Sequence, residues 1–356
     1  MNQRDMIMCG IAGWIHHNQK KETGERIKRS IILQNDRGNG LGAGYAAYGI
    51  YPDYKDTYAF HVMGASACAI DNVTDFLKRH FNIKKSEEFP IWNKRIHDYP
   101  FFRRFFVEPT PEGEGGNLDD FVMDKVMKIN TSIDEAFVCS SGKNMGVFKG
   151  VGTPKDIYEF FCLDEYEGYC WIAHNRFPTN TPGWWGGAHP FNLLGWSIVH
   201  NGEISSYGIN KRYLQTYGYI CTLQTDTEVA AYLLDILIRR HRLSVLDAVT
   251  VLAPPYWTTT ERFSNKEEKD RMIAMKVIYE SAMLNGPFAI LAGFDNGLFS
   301  ITDNTKLRPM TIGRTQESTC FASEVSALYE MEEDFSEVIT PRAGQPVIVQ
   351  YESKGE

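Results

Sequence analysis

The residue of this chain best suited to nucleophilic chemistry is Cys9, in the stretch Met8-Cys-Gly-Ile-Ala-Gly13. A thiolate attacks, and a thiol needs a base to become one. A cysteine at a chain start carries that base with it. Its own α-amine has a pKa of about 7.7–8.0, close to working pH, where a general base is most useful. A peptide nitrogen cannot serve. Because MNQRDMIM precedes Cys9, an active form should lack residues 1–8. Translation from Met8 with removal of that methionine would achieve this, as would a propeptide cut by the enzyme itself. Otherwise Cys9 is a core cysteine in a first strand.

Four further stretches combine chemistry-bearing residues between positions 174 and 228: HNRFPTNT, AHPF, IVHNGEI and QTDTE. By local rules, Asn201-Gly202 reads as a turn and Asp226 as a helix N-cap, with Thr225 as the alternative cap. His174 and His200 read as structural hydrogen-bonders at strand ends. His16-His17 reads as a surface pair. No H-E-x-x-H spacing occurs, and no metal site is expected.

These residues need elements to hold them. CGIAGWI (9–15) reads as a buried strand. Ile27, Ile31 and Ile32 have helical spacing, and a Gly-rich loop and a strand follow. In DNVTDFLKRHF a helix is expected with Asp71 or Thr74 near its cap. PFFRRFFVEP reads as a strand, and FVCSSGKNMGVFKGVG as two strands around a turn at 142–144. Thr153-Pro154 is a good helix start. CWIAHN and GWSIVHNGEI read as strands, and TPGWWGGAHPFN as an irregular loop. Trp184–Gly187 within it could form a lid over the site, with His189 beside it. TDTEVAAYLLDILIRRH is a strong helix, and SNKEEKDRMIAMKVIYESAM is another. GPFAILAGFDNGLFSITD reads as two strands joined at 295–297, and 319–351 as short strands. Strand-rich ends with helices between suggest α+β layers.

Composition narrows the class. A net charge of −8 and the lack of a basic tract argue against nucleic acid as a partner. No apolar run approaches the roughly 18 residues of a membrane span, and the N-terminus lacks a signal-peptide h-region. The seven cysteines are odd in number and form no C-x-x-C pair. That speaks against a disulfide framework and for a cytoplasmic protein.

CGIAGWI together with HNRFPTNT, AHPF, IVHNGEI and QTDTE, in that order, resembles the class II glutamine amidotransferases, which use an N-terminal nucleophile. GPFAIL, KLRP and ASEV extend the resemblance, which covers about 9–50 and 170–345. Its flavour is most like the amidotransferase part of glutamate synthases in a stand-alone subunit form. The resemblance implies an α+β fold, the four-layer αββα sandwich of N-terminal-nucleophile hydrolases, over 9–356, with 55–165 as a family-specific insertion. It implies that Cys9 attacks the side-chain amide of glutamine and forms a thioester. Asn201 and Gly202 match the oxyanion hole. Arg176 matches the grip on the α-carboxylate and Asp226 the grip on the α-ammonium. Arg37 matches a family arginine near the nucleophile, and Thr179 is a further substrate contact.

The chain shows no phosphate loop, no phosphoribosyl-pyrophosphate motif and no dinucleotide fingerprint, so the ammonia acceptor is expected on another chain. The resemblance implies a synthase subunit carrying FMN and an iron–sulfur cluster, with no cofactor in this chain. The corresponding subunit of an N-methylglutamate synthase, another acceptor enzyme, and a non-catalytic regulatory subunit that keeps residues 1–8 stay open, as does a homo-oligomer.

Overall fold

The strand after Cys9, Gly10–His16, is buried along its whole length. Its side chains alternate between two apolar environments, as a pleated strand requires. Ile11 and Ile15 face one core together with Val199, Leu291 and Leu298. Ala12 and Trp14 face another, with Ile27, Ile31, Ile157 and Leu328. A strand covered on both faces needs apolar residues at every position, and CGIAGWI supplies them. In this computed structural model, residues 8–92, 95–110, 117–177 and 183–351 are described.

Gly10–His16 lies within a seven-stranded sheet, between Ser318–Ala322 and Cys170–Asn175. Ala43–Tyr48 and Met145–Gly150 complete that side, the latter at the edge. A five-stranded sheet packs against it, ordered Phe191–Leu193, Trp196–Gly202, Phe288–Phe294, Gly297–Thr302, Val347–Gln350. Every strand pairing of these two sheets is antiparallel. Gly13 sits where the sheets approach each other. A Cβ there would lie 2.5 Å from Leu291 Cδ2.

The outer face of the larger sheet is covered by helices Glu25–Leu33, Pro154–Phe160 and Val325–Tyr329. Helices Asp226–Asp235 and Val245–Leu252 cover the smaller one. The result is the four-layer αββα sandwich expected of an N-terminal-nucleophile hydrolase. Among the described residues no helix is long and apolar enough to cross a membrane.

A third sheet stands beside the sandwich: Phe81–Glu88, Phe101–Pro109, Tyr58–Gly64 and Ala136–Ser140. Helices Ala67–His80 and Leu118–Ser132 pack on it. This accessory layer spans 58–140, while Met145–Gly150 and Pro154–Phe160 already belong to the sandwich.

Several local expectations need correcting. The helix in 67–80 is capped by Ser66, which accepts from Ala69 N at 3.2 Å, not by Asp71 or Thr74. The apolar face begins earlier, at Ala69 and Ile70. Thr74 sits mid-helix and donates back to Ile70 O. The two strands expected around 142–144 are present, and they lie in different sheets. Ala136–Ser140 joins the accessory sheet and Met145–Gly150 the large one, so the turn hands the chain between layers. The 319–351 tail includes the short helix Val325–Tyr329. Other local signals match. Thr153 forms a capping box with Asp156, with Pro154 in the first turn.

Candidate active site

Cys9 stands at the open end of the Gly10–His16 strand, where Gly10 pairs with Asn175. Its Sγ accepts from Phe177 N at 3.2 Å and lies 3.7 Å from Phe177 O. Burial pushes the Cys9 thiol above its ordinary range. The Phe177 N–H and the nearby Arg176 and Arg37 charges pull the other way without cancelling it. A thiol in this setting needs a dedicated base to become a nucleophile.

Arg37 holds the backbone of the nucleophile. Its Nε donates to Cys9 O at 3.2 Å, and its Nη1 pairs with Glu324 Oε1 at 2.5 Å. Its Nη2 is buried without a hydrogen-bond partner. Glu324 has no signal in local sequence rules, because its partner is 287 residues away.

One pocket, about 250 Å³ in volume, is lined by Cys9, Arg176, Gly202, Ile204, Tyr207 and Asp226, among others. Arg176 follows the strand Cys170–Asn175 directly, and its N–H donates to Gly42 O at 2.8 Å. Its stem lies on Gly42, where a Cβ would come within 3.0 Å of Cδ. The guanidinium is almost wholly buried, which lowers its affinity for the proton, while Cys9 and Asp226 oppose that shift.

Asp226 opens the helix Asp226–Asp235. Its Oδ2 accepts from Ile204 N at 2.9 Å and its Oδ1 from Thr227 Oγ1 at 3.3 Å. Burial alone would raise its pKa, yet His200, the Ile204 N–H and Thr227 hold it below the usual carboxylate range. Thr225 is the cap, accepting from Glu228 N at 3.1 Å. The carboxylate of Asp226 is therefore not consumed by capping.

Asn201 and Gly202 end the strand Trp196–Gly202. The next strand partner, Phe288–Phe294, is far along the chain, so Asn-Gly is not a two-residue hairpin turn here. Asn201 is 1% exposed, and its Nδ2 has no partner. A buried donor left unpaired is costly and rare. Gly202 has φ of +138°, and a Cβ on it would lie 1.9 Å from Pro287 O. Only glycine fits.

Behind the pocket three histidines pack together. His174 stacks on His189 with ring centroids 4.1 Å apart and bonds His200 O at 2.9 Å. His189 Nε2 and His200 Nδ1 both reach Thr227 Oγ1, at 2.7 and 3.1 Å. Since the Thr227 hydroxyl donates to Asp226, both imidazoles donate to it. Burial holds His174 neutral, lowering its pKa to about 3, and drives His189 well below the ordinary value. His189 and His200 thus hold the Thr227 hydroxyl, which in turn bonds Asp226. No local rule singles out Thr227, although it sits inside QTDTE. Gln224, also on the pocket wall, holds a left-handed φ of +56°, a strain of the kind that concentrates at functional sites.

The fold thus brings Cys9, Arg176, Gly202 and Asp226 to one pocket, with Asn201 adjoining Gly202. It puts Arg37 on the nucleophile's backbone. Thr179 lies outside the described residues. Among those residues no group of three or more His, Cys, Asp or Glu converges to hold a metal ion.

Comparison with known proteins bears on this site. The family model for glutamine amidotransferases class-II matches residues 90–354. A protein of Archaeoglobus fulgidus, carried as uncharacterized, is 46% identical over 357 residues, covering 99% of this chain and 94% of that one. The amidophosphoribosyltransferase of Methanocaldococcus jannaschii is 27% identical over 206 residues, covering 57% of this chain and 38% of that one. A solved glutamine phosphoribosylpyrophosphate amidotransferase from B. subtilis aligns over 96% of this chain and 47% of its own, with 16% identity and a TM-score of 0.48. This chain thus spans half or less of the two amidotransferases, and their remaining segments have no counterpart in the alignment.

Proposed function

The chain belongs to the class-II glutamine amidotransferases, and on that premise we propose that it hydrolyses L-glutamine to L-glutamate and ammonia through a Cys9 thioester. The observation that carries this is the pocket in which a thiol, a buried guanidinium and an ionised carboxylate meet beside an unpaired amide donor. Glutamine offers a carboxylate, an ammonium and an amide carbonyl, and each has a partner of matching chemistry.

In the proposed reaction, residues 1–8 have been removed. The freed α-amine of Cys9 takes the thiol proton, and Sγ adds to the amide carbon. The tetrahedral oxyanion receives hydrogen bonds from Asn201 Nδ2 and the Gly202 N–H. The proton passes to the amide nitrogen, the C–N bond breaks, and ammonia leaves. Water then attacks the thioester and releases glutamate and the thiol. The Arg176 fork pairs with the α-carboxylate in a charge-assisted, bidentate manner, and Asp226 pairs with the α-ammonium.

For the acceptor, we read the partner as a separate glutamate synthase-type subunit that carries FMN and an iron–sulfur cluster. The motif string RFPTNT…HPF…HNGEI supports this reading, as does the lack of any phosphate loop in the sequence.

The test starts with intact mass and N-terminal sequencing of the protein from its native cell. A chain starting at Cys9 that releases ammonia from glutamine, and that a glutamine-analogue electrophile labels at Cys9, is the expected result. A chain that keeps residues 1–8 and resists labelling would overturn the catalytic reading. Co-purification of a flavoprotein is expected for the acceptor. Ammonia transfer to a sugar phosphate instead would overturn that part alone.

A further inference from the structure

Lys149 is an ammonium in an unusual place. It is 3% exposed, on the edge strand of the large sheet. Burying such a charge is costly unless it is paired or well bonded. Its Nζ donates to Gly186 O at 3.0 Å and lies 4.2 Å from the centroid of the Phe191 ring. Gly186 belongs to the turn Trp184–Gly187, closed by Gly187 N donating to Trp184 O at 3.1 Å.

The same turn is gripped at two more points, both from the same part of the chain. Trp185 stands over Gly150, where a Cβ would lie 2.1 Å from its ring. That ring packs against Phe102 and Phe160, with centroids 5.4 and 5.5 Å away, and its Nε1 donates to Asp98 O at 3.3 Å. Trp184 meets Phe137 edge-on at 5.4 Å. On its other side the turn touches the substrate pocket. A Cβ on Gly187 would come within 3.2 Å of Arg176 Nη1. Two residues further on, His189 lines the pocket and bonds Thr227. In its described part, 183–190, the loop is irregular as expected, and its Trp184–Gly187 turn is held by these contacts.

We propose that Asp98, Phe102, Phe137 and Phe160 brace the glutamine site, and that Lys149 is a positioning residue that fixes the Trp184–Gly187 turn behind Arg176. The edge strand of the large sheet, together with the accessory-layer rings of Phe102 and Phe137, then acts on substrate binding without touching substrate. The chain of contact is Lys149 to the Gly186 carbonyl, the turn to the Arg176 guanidinium, and the guanidinium to the substrate carboxylate. The first link is a hydrogen bond, and the second is an approach so close that a side chain at Gly187 would press on Arg176; in a close-packed setting small displacements are transmitted. The inference rests on the proposed role of Arg176 in glutamine binding.

The test uses the processed chain and steady-state glutamine hydrolysis. Lys149→Met should raise KM for glutamine about tenfold while kcat stays within about threefold. Its melting temperature should hold or rise, because the desolvation cost of a buried ammonium is gone. Lys149→Gln, which keeps a donor, should recover part of the KM. A folded Lys149→Met protein with KM within about twofold of the parent would overturn the inference while leaving the proposed function standing. A fall in kcat and melting temperature with KM unmoved would also overturn it, showing a purely structural lysine. If Lys149→Met does not fold, Lys149→Leu, which also lacks a donor, decides by the same criterion. A parent chain that does not turn over glutamine would instead overturn the proposed function, and this inference with it.

Discussion

The sandwich and the accessory sheet solve the same problem differently. The Cys9 strand is buried at all seven positions, with glycine and alanine where sheets or helices press close. The accessory strand Phe81–Glu88 is buried only at Phe81 and leaves most of its charged residues in water. One sheet is covered on both faces and must place its residues to a fraction of an ångström. The other is buried on both faces only at its centre, along Tyr58–Gly64, while its edge strand Phe81–Glu88 leaves one face in water and tolerates substitution there. The site grew on the first, at strand ends whose backbone cannot shift. The second supports the site from outside, through rings such as Phe102 and Phe137.

Changes at the rigid strand ends should therefore have the greatest consequences. Cys9→Ala should remove ammonia release from glutamine altogether. Residual turnover above about a thousandth of the parent value would point to a different nucleophile. Asn201→Ala removes one oxyanion donor and should lower kcat by about 10²–10³-fold with little change in KM. A matched loss in KM instead would make Asn201 a binding residue. Arg176→Ala and Asp226→Asn remove charge-assisted contacts to groups that glutamine carries throughout the reaction. Each should raise KM by about 10–100-fold with a smaller effect on kcat. Unchanged glutamine kinetics in either variant would refute the clamp.

Stability comparisons separate the two regions further. Gly13→Ala places a methyl 2.5 Å from Leu291 Cδ2 between the two sheets and should cost about 1–3 kcal/mol by chemical denaturation. Gly64→Ala, in the accessory sheet, meets the end of the Ile70 side chain at 3.0 Å and should cost less than about 1 kcal/mol. Equal costs would mean that the two sheets are equally intolerant of added volume.

A further contrast is one of pH. Burial lowers the Lys149 pKa from 10.5 to about 8. Its proton is thus held more tightly by the unfolded chain, so the penalty is full below pH 8 and fades as pH rises toward 10.5. Lys149→Met should be more stable than the parent at pH 7, and the gap should narrow above pH 8. A gap that stays constant from pH 7 to 10 would mean that the ammonium carries no burial penalty.

Much of the site is legible in the amino-acid order alone. Cys9 can be read from the chemistry of an N-terminal thiol, and Arg176, Asn201, Gly202 and Asp226 from ordered motifs. The cap at Thr225 follows from helix-start rules, as does Thr153. Local rules misread Asn201-Gly202 as a hairpin, because the same dipeptide that permits a turn also permits the φ of +138° that Gly202 needs at a strand end. They misplace the cap of the 67–80 helix because an acidic residue inside the first turns resembles a cap.

The sequence by itself determined which groups could react, because side-chain identity and short-range backbone preferences are local properties. It also determined which strands lie between two layers, because an unbroken run of small and apolar residues leaves no face for water. The tertiary structure alone decided the pairing of Arg37 with Glu324, the convergence of His174, His189 and His200 on the Thr227 side of the pocket, and the reach of Lys149 to Gly186. Each of these joins residues whose separation along the chain carries no periodic signal. They meet only because two sheets stack face to face and a third layer closes against their edge.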